Sequence, residues 1–105
     1  MNGMFTSKRY ATKGICETIS LDIQMVIWAM IDQWRQDRVT MDYLQVFELS
    51  IERRNSIGIQ KVIHTQECPC KSATYYLPII ENPIKTTIWV IDSEEYCMML
   101  LPDEY

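Results

Sequence analysis

The sequence lacks the short motifs that identify common enzyme classes. None of the patterns GxSxG, GxGxxG, HExxH or the P-loop occurs in it, and His64 is its one histidine. Four residues of an extended strand span about 13 Å. Cys68 would therefore lie too far from His64 to form a cysteine–histidine nucleophile pair. Since no motif or residue pair points to catalysis, we predict that the protein is not an enzyme.

Signals for secretion, membrane insertion and nucleic-acid binding are missing as well. The start, MNGMFTSKRY, has no apolar h-region, and no run approaches the roughly 18 apolar residues of a membrane span. Asp and Glu number 14 against 10 Lys and Arg, a net charge of −4, so a phosphate-binding face is not expected. We predict a cytoplasmic protein whose cysteines are reduced, with neither a membrane nor a nucleic acid as direct partner.

One stretch, from Ser20 to Asp37, predicts a long helix. Ser20 is a good N-cap, and Asp22 places negative charge at the positive end of the helix dipole. A broad apolar face follows at helical spacing, made of Ile23, Val26, Ile27, Met30, Ile31 and Trp34.

A second apolar stripe on the same helix contains Leu21, Met25 and Trp28. Two interpretations stay open. The helix is nearly buried, with Trp28 covering a sheet edge, or the stripe is a partner-binding patch, because Trp and Met are enriched at interface cores.

The rest of the chain predicts strands. They are Arg9–Ile15, Asp42–Glu52, Ile57–Glu67, Ile84–Ile91 and Tyr96–Leu101, after a frayed start over residues 1–7. Residues 69–83 contain three prolines and are predicted to form a loop, ordered or mobile, instead of a central strand. We expect one domain over residues 1–105. Its fold is α+β, in the order β-α-β-β-β-β, with a single mostly antiparallel sheet and one long helix packed on one face.

The four cysteines raise the question of a zinc site. Cys68 and Cys70 lie two residues apart on an extended segment, so both thiolates could reach one zinc ion. Cys97, Cys16 and His64 are the only further soft ligands. Strong zinc signatures show two closely spaced ligand pairs, and this chain has one. Zinc ligation by Cys68, Cys70, Cys97 and Cys16 and metal-free reduced cysteines remain alternatives.

Five segments together resemble a family of small Firmicutes proteins of unknown function, first catalogued from staphylococci and also found on phages and mobile elements. They are RYATKGI at 9–15, ISLDIQMVIWAMID at 19–32, DYLQVFELS at 42–50, KVIHTQE at 61–67 and the ending WVIDSEEYCMMLLPDEY. The resemblance implies no catalytic residues and gives no support to a metal at the Cys-Pro-Cys stretch. Its mobile-element setting implies a role such as that of anti-CRISPR proteins, which occupy a surface on a host defence protein.

We therefore expect a non-enzymatic protein-binding module. The favoured partner is a bacterial protein, and the narrower hypothesis is a phage or mobile-element inhibitor of a CRISPR-type nuclease. Acidic residues at Asp92, Glu94, Glu95, Asp103 and Glu104 would compete for a basic nucleic-acid channel. The alternatives are a small zinc-stabilised interaction module and a housekeeping regulatory or structural homodimer.

Overall fold

The protein folds into one six-stranded sheet with a short and a long helix. The computed structural model describes residues 4–77, 80 and 82–105. In chain order the elements are β1 (Lys8–Ala11), α1 (Lys13–Thr18), α2 (Leu21–Gln36), β2 (Leu44–Arg54), β3 (Ile57–Gln66), β4 (Lys71–Leu77), β5 (Thr86–Asp92), β6 (Tyr96–Leu100) and a 3-10 turn at Pro102–Glu104.

The strands lie in the order β1-β6-β5-β2-β3-β4. Only β1 and β6 run parallel, and every other neighbouring pair in the described sheet is antiparallel. The predicted α+β class with one mostly antiparallel sheet is confirmed. The predicted strand count is wrong, because five strands were expected and the sheet has six.

The β2–β3 hairpin joins the centre of the sheet, at β2, to the strand next to its β4 edge. Its turn contains Asn55 and Ser56, with φ angles of 54° and 67°. Two consecutive left-handed residues match the right-handed twist of the flanking strands. The register places Phe47 on β2 between His64 on β3 and Ile88 on β5.

Helix α2 begins and ends where its sequence predicts. The Ser20 hydroxyl accepts a hydrogen bond from the Ile23 amide at 3.4 Å, and Asp37 is the C-cap. The Trp34 ring stacks on His64 of β3 with ring centroids 3.7 Å apart. The helix therefore covers one face of the sheet, and its buried side chains are Ile23, Ile27, Met30, Ile31 and Trp34.

The prediction for the first 20 residues is partly wrong. The strand β1 ends at Ala11, and α1 follows at once. Thr12 caps that helix, since its hydroxyl accepts a hydrogen bond from the Ile15 amide at 3.3 Å. The start is also more ordered than expected over its described part, because Phe5 is fully buried and its amide donates to the Asp92 carboxylate at 3.0 Å.

The proline-containing stretch 69–83 includes a strand that the sequence prediction missed. β4 pairs with β3 over seven residues and lies at the edge of the sheet. Pro69 precedes it and Pro83 follows it, so neither proline interrupts a hydrogen-bonded ladder. Pro78, Ile79 and Glu81 lie outside the described residues.

No helix among the described residues combines the length and the apolar character needed to cross a membrane.

Candidate functional site

The face of the sheet opposite α2 has an apolar part. Side chains alternate along a strand, so Leu44 and Val46 point away from the helix while Phe47 points toward it. In register, Val46 lies beside Trp89, Leu44 lies beside Ile91, and Ile91 lies beside Met98. These five side chains are all partly exposed, whereas Phe47 is fully buried. We call Leu44, Val46, Trp89, Ile91 and Met98 the open-face patch.

Further apolar side chains extend this patch sideways. Tyr10 on β1 is paired with Met98, and Ile63 on β3 lies near Val46 on the same face. The apolar surface thus crosses five adjacent strands, which is about 19 Å at the usual strand spacing. Monomeric soluble proteins seldom expose a contiguous apolar area of more than a few hundred Å². The row of partly exposed apolar side chains is therefore a candidate binding face.

Tyrosines surround the open-face patch. Tyr10 and Tyr96 meet edge to face with ring centroids 6.1 Å apart, and Tyr105 meets Trp89 in the same way at 5.7 Å. Tyr10 is 48% exposed and Tyr105 is 78% exposed. Tyrosine combines an apolar ring with a hydrogen-bonding hydroxyl, which is why it is enriched at protein interfaces.

Polar side chains limit the patch toward the other end of β2. Glu48 lies beside Thr87 on β5 and Ile63 on β3. One row further on, Lys61 lies between Ser50 and Tyr76. The open face therefore has an apolar part and a polar margin, the arrangement found in protein–protein interfaces.

The sequence analysis did not identify this patch, although the sequence contains a signal for it. β2 and β5 carry apolar residues on both faces, as in YLQVFEL and TIWVI. Strands with this composition are usually covered on both sides. One long helix can cover only one side, so the combination predicts an exposed apolar face.

The three residues of the helix stripe, Leu21, Met25 and Trp28, differ in their exposure. Leu21 is 69% exposed and Met25 is 63% exposed. Trp28 is partly buried, and the Arg9 guanidinium lies 4.8 Å from the centre of its ring. Since Arg9 belongs to the edge strand β1, Trp28 packs at a sheet edge. A partner-binding role for the stripe stays a prediction.

The predicted acidic residues have different environments. Glu94, Glu95 and Asp103 are exposed, with Glu94 and Glu95 in the β5–β6 turn. Asp92 is buried, and its two carboxylate oxygens accept hydrogen bonds from the amides of Phe5 and Glu94, both at 3.0 Å. Asp92 therefore holds the segment around Phe5 against the end of β5.

Glu104 joins the end of the chain to the start of α1. One carboxylate oxygen accepts hydrogen bonds from the Thr12 hydroxyl at 2.6 Å and the Leu101 amide at 2.8 Å. The other accepts from the Gly14 amide at 3.1 Å. The hydrogen bond from Thr12 is the main reason why the pKa of Glu104 is lowered. A side chain at position 14 would collide with this carboxylate, since a Cβ there would lie 2.5 Å from Oε2.

The structure does not bring the four predicted metal ligands together. Cys68 and Cys70 are exposed in the β3–β4 turn, and Cys16 is exposed on α1. Cys97 is buried on β6, and that burial raises the pKa of its thiol. Strands β5 and β2 separate β6 from β3, a spacing of about 14 Å. Over residues 4–77, 80 and 82–105, no three His, Cys, Asp or Glu side chains are grouped to hold a metal ion.

His64 is enclosed in the core. Its ring stacks on Trp34 and on Phe47, with centroid distances of 3.7 and 4.2 Å. Gln45 donates from its amide nitrogen to Gln66, so its Oε1 is the atom facing His64 Nε2 at 2.6 Å. His64 therefore donates from Nε2, and burial lowers its pKa to about 3. The ring is neutral and fully inaccessible.

Comparisons with known proteins identify a family and a fold. A family model described as "Staphylococcal protein of unknown function (DUF960)" matches residues 8–104. The chain is also similar to a crystal structure of a protein of unknown function from Enterococcus faecalis. That match has a TM-score of 0.82 and 23% sequence identity, and it covers 100% of this chain and 98% of the other. At this identity the likeness concerns the fold alone. No curated protein sequence matches the chain.

Proposed function

This chain belongs to the DUF960 family of staphylococcal proteins of unknown function, and we propose that it is a non-enzymatic protein-binding module. Its partner docks on the open-face patch. The observation that carries the proposal is the contrast between the two faces of the sheet. α2 covers one face, while Val46, Trp89 and Ile91 remain partly exposed on the other.

The partner is a folded protein with a flat apolar surface. A sheet face is itself nearly flat, and a second layer packs on it at about 10 Å. Burying a fully exposed large apolar side chain contributes about 1.5–3 kcal/mol, and covering the partly buried side chains of the open-face patch contributes a fraction of that each. The tyrosines at positions 10, 96 and 105 lie around the apolar part, where their hydroxyl groups can bind polar groups of the partner.

The state of His64 supports a non-enzymatic role. General acid–base catalysis most often uses a histidine within hydrogen-bond reach of the substrate. The one histidine of this chain is fully buried between Trp34 and Phe47, and its Nε2 is bonded to Gln45. His64 therefore contributes to core packing, and its ring is not accessible to a substrate.

The test compares tagged wild-type protein with Ile91→Lys and with the matched control Thr87→Lys. Ile91 belongs to the patch, whereas Thr87 lies on the same strand and face beside Glu48. Each protein is used to capture binding partners from a host lysate, and the captured protein is then purified. We expect the purified partner to bind wild type and Thr87→Lys alike. It should bind Ile91→Lys at least about tenfold more weakly, because docking would enclose an unpaired ammonium group in the apolar interface.

The outcomes that overturn the proposal are specific. Equal capture by Ile91→Lys and wild type would exclude the open-face patch, as would the absence of any partner bound by wild type. Self-association that Ile91→Lys abolishes, seen by sedimentation, would assign the patch to a second copy of the chain. That result would favour the homodimer alternative instead of a separate partner.

A narrower version of the proposal makes the partner a CRISPR-type nuclease of the bacterial host. Its support is the small size, the net charge of −4 and the resemblance to proteins of mobile elements. Glu94, Glu95 and Asp103 are exposed and available for such a contact. The test is a nuclease cleavage assay with excess protein. Unchanged cleavage, together with no nuclease among the captured partners, contradicts this version and leaves the broader proposal standing.

A further inference from the structure

The outer edge of β4 is a second surface without a neighbour in the described structure. β4 is the last strand of the sheet and pairs with β3 from Lys71 to Leu77. In an antiparallel ladder alternate residues direct their N–H and C=O groups to one side. The remaining groups of β4 therefore point outward, where they can pair with another strand.

A groove lies beside this edge on the helix side of the sheet. It has a volume of about 290 Å³, and Val26, Met30 and Trp34 of α2 line it together with Ala73 and Tyr75 of β4. An added strand would place every second side chain on this side. The groove thus offers an apolar site for those side chains next to free backbone groups.

Cationic side chains flank the same edge on both faces. On the helix side, the Lys71 Nζ lies 5.7 Å from the Trp34 ring. On the other side, Lys61 and Arg54 lie 5.9 and 5.3 Å from the Tyr76 ring. Arg54 is paired with Glu52. Among the residues that the structure describes, Lys61 and Lys71 make no ion pair. Lys71 on β4 and Lys61 on the neighbouring strand β3 thus place two positive charges beside this edge, in a chain whose net charge is −4.

We propose that the β4 edge binds an extended acidic segment of a partner protein as a seventh strand. Backbone hydrogen bonds to β4 supply affinity, and the groove selects apolar side chains at alternate positions. Acidic side chains of the segment meet Lys61 and Lys71. This goes beyond the proposed function, because it concerns a different surface from the open-face patch and a different form of ligand. An apolar groove beside backbone donors and acceptors suits a peptide better than a phosphate backbone.

The probe is chosen by selection from a random ten-residue peptide library displayed on phage, with the wild-type protein immobilised. We expect the selected peptides to carry apolar residues at alternate positions, together with acidic residues that can reach Lys71 on the helix side or Lys61 on the other face. One such peptide, labelled with fluorescein, is then titrated with protein and followed by fluorescence anisotropy. Replacing its Asp and Glu by Asn and Gln should weaken binding about tenfold, the loss of roughly 1.4 kcal/mol of charge interaction.

Backbone N-methylation of the probe tests strand addition directly. Two peptides carry N-methyl groups on the odd or on the even residues. Because only alternate residues of an added strand bond to β4, one set should abolish binding and the other should be tolerated. Equal tolerance of both sets overturns the proposal, and so does selection of peptides without acidic residues.

Protein variants locate the site. Lys71→Glu should lower the affinity for the probe about tenfold, because it replaces a positive charge beside the acidic side chains of the peptide by a negative one. The control Lys13→Glu, at an exposed position on α1, should leave probe affinity unchanged. Thermal melts establish that both variants are folded. A further outcome would overturn the proposal: the selection yields no peptide, and the wild-type protein binds a 15-nucleotide oligo-dT that Lys71→Glu does not bind. That result would assign the edge to single-stranded nucleic acid. Failure of the open-face partner experiment has no effect on these measurements.

Discussion

His64 illustrates how a single polar residue is accommodated in this core. Gln45 Oε1 accepts the proton of Nε2, while Nδ1 has no hydrogen-bond partner among the described residues. A second proton would have to lie on Nδ1, where it would be buried without an acceptor. The stacked Trp34 and Phe47 rings exclude water from both ring faces. Protonation is therefore unfavourable in the folded state, and the pKa falls to about 3 from 6.5.

This lowered pKa makes stability depend on pH. Between the folded pKa of about 3 and the unfolded value of 6.5, the unfolded chain binds more protons than the folded chain. The free energy of unfolding should therefore decrease as pH falls from 6.5, by up to about 1.4 kcal/mol per pH unit from this residue. Urea unfolding at pH 7.5, 6.5, 5.5 and 4.5 measures the slope.

Two variants separate His64 from other acid-sensitive groups. His64→Phe keeps the stacked ring but cannot be protonated, and His64→Gln keeps a donor for Gln45. Both should be less stable than wild type at pH 7.5, and both should show a smaller pH dependence between 6.5 and 4.5. If wild type and both variants lose stability with the same slope, the buried histidine is not the source of the pH dependence.

At the scale of elements, one charged cluster connects α2 to the edge strand β1. Arg9 donates to both carboxylate oxygens of Asp32, with Nη1 at 3.0 Å from Oδ2. Arg35 donates to the same carboxylate at 3.0 Å. The hydrogen bond from Arg9 lowers the pKa of Asp32, and the guanidinium also covers Trp28. The cluster holds the helix against the β1 side of the sheet.

We expect Asp32→Asn to lower the free energy of unfolding by about 1 kcal/mol at pH 7, a modest value because the side chain is 38% exposed. A carboxylate with a lowered pKa stabilises the fold above its unfolded pKa and loses that effect as pH falls through the folded pKa. The difference from wild type should thus be smaller at pH 3 than at pH 7. The control is Asp37→Asn at the C-cap of the same helix, whose carboxylate accepts a hydrogen bond from the exposed Gln33 amide. Equal losses in both variants would contradict a special role for Asp32.

The elements differ in how well their sequences predict them. α2 could be predicted because its N-cap, first-turn acid and apolar spacing all agree. β4 is not predicted because the prolines in its stretch indicate a loop, although none of the seven residues of the strand is a proline. The sequence of residues 9–15 predicts a strand, whereas α1 begins at Lys13. The Gly14 amide at the start of α1 donates to Glu104, a contact between residues 90 positions apart that local sequence cannot reveal.

At the scale of the whole molecule, the candidate sites follow from what a single helix leaves uncovered. α2 packs on one face, so the open-face patch and the β4 edge both remain exposed. Neither surface has a motif. The patch depends on which strands become neighbours, and the β4 edge depends on the position of one strand in the sheet order. Both are properties of the topology, whereas helical spacing alone is enough to identify the Leu21, Met25 and Trp28 stripe.

The two surfaces should bind their ligands independently. Ile91 lies on β5, which strands β2 and β3 separate from β4, about 14 Å at the usual strand spacing. Sites more than 7–10 Å apart that share no contacts are usually coupled by less than about 0.5 kcal/mol. Ile91→Lys should therefore change the affinity of the acidic peptide for the β4 edge by no more than about twofold, and Lys71→Glu should leave capture of the open-face partner intact. A large loss of peptide affinity in a folded Ile91→Lys protein would mean that patch and edge form one continuous site.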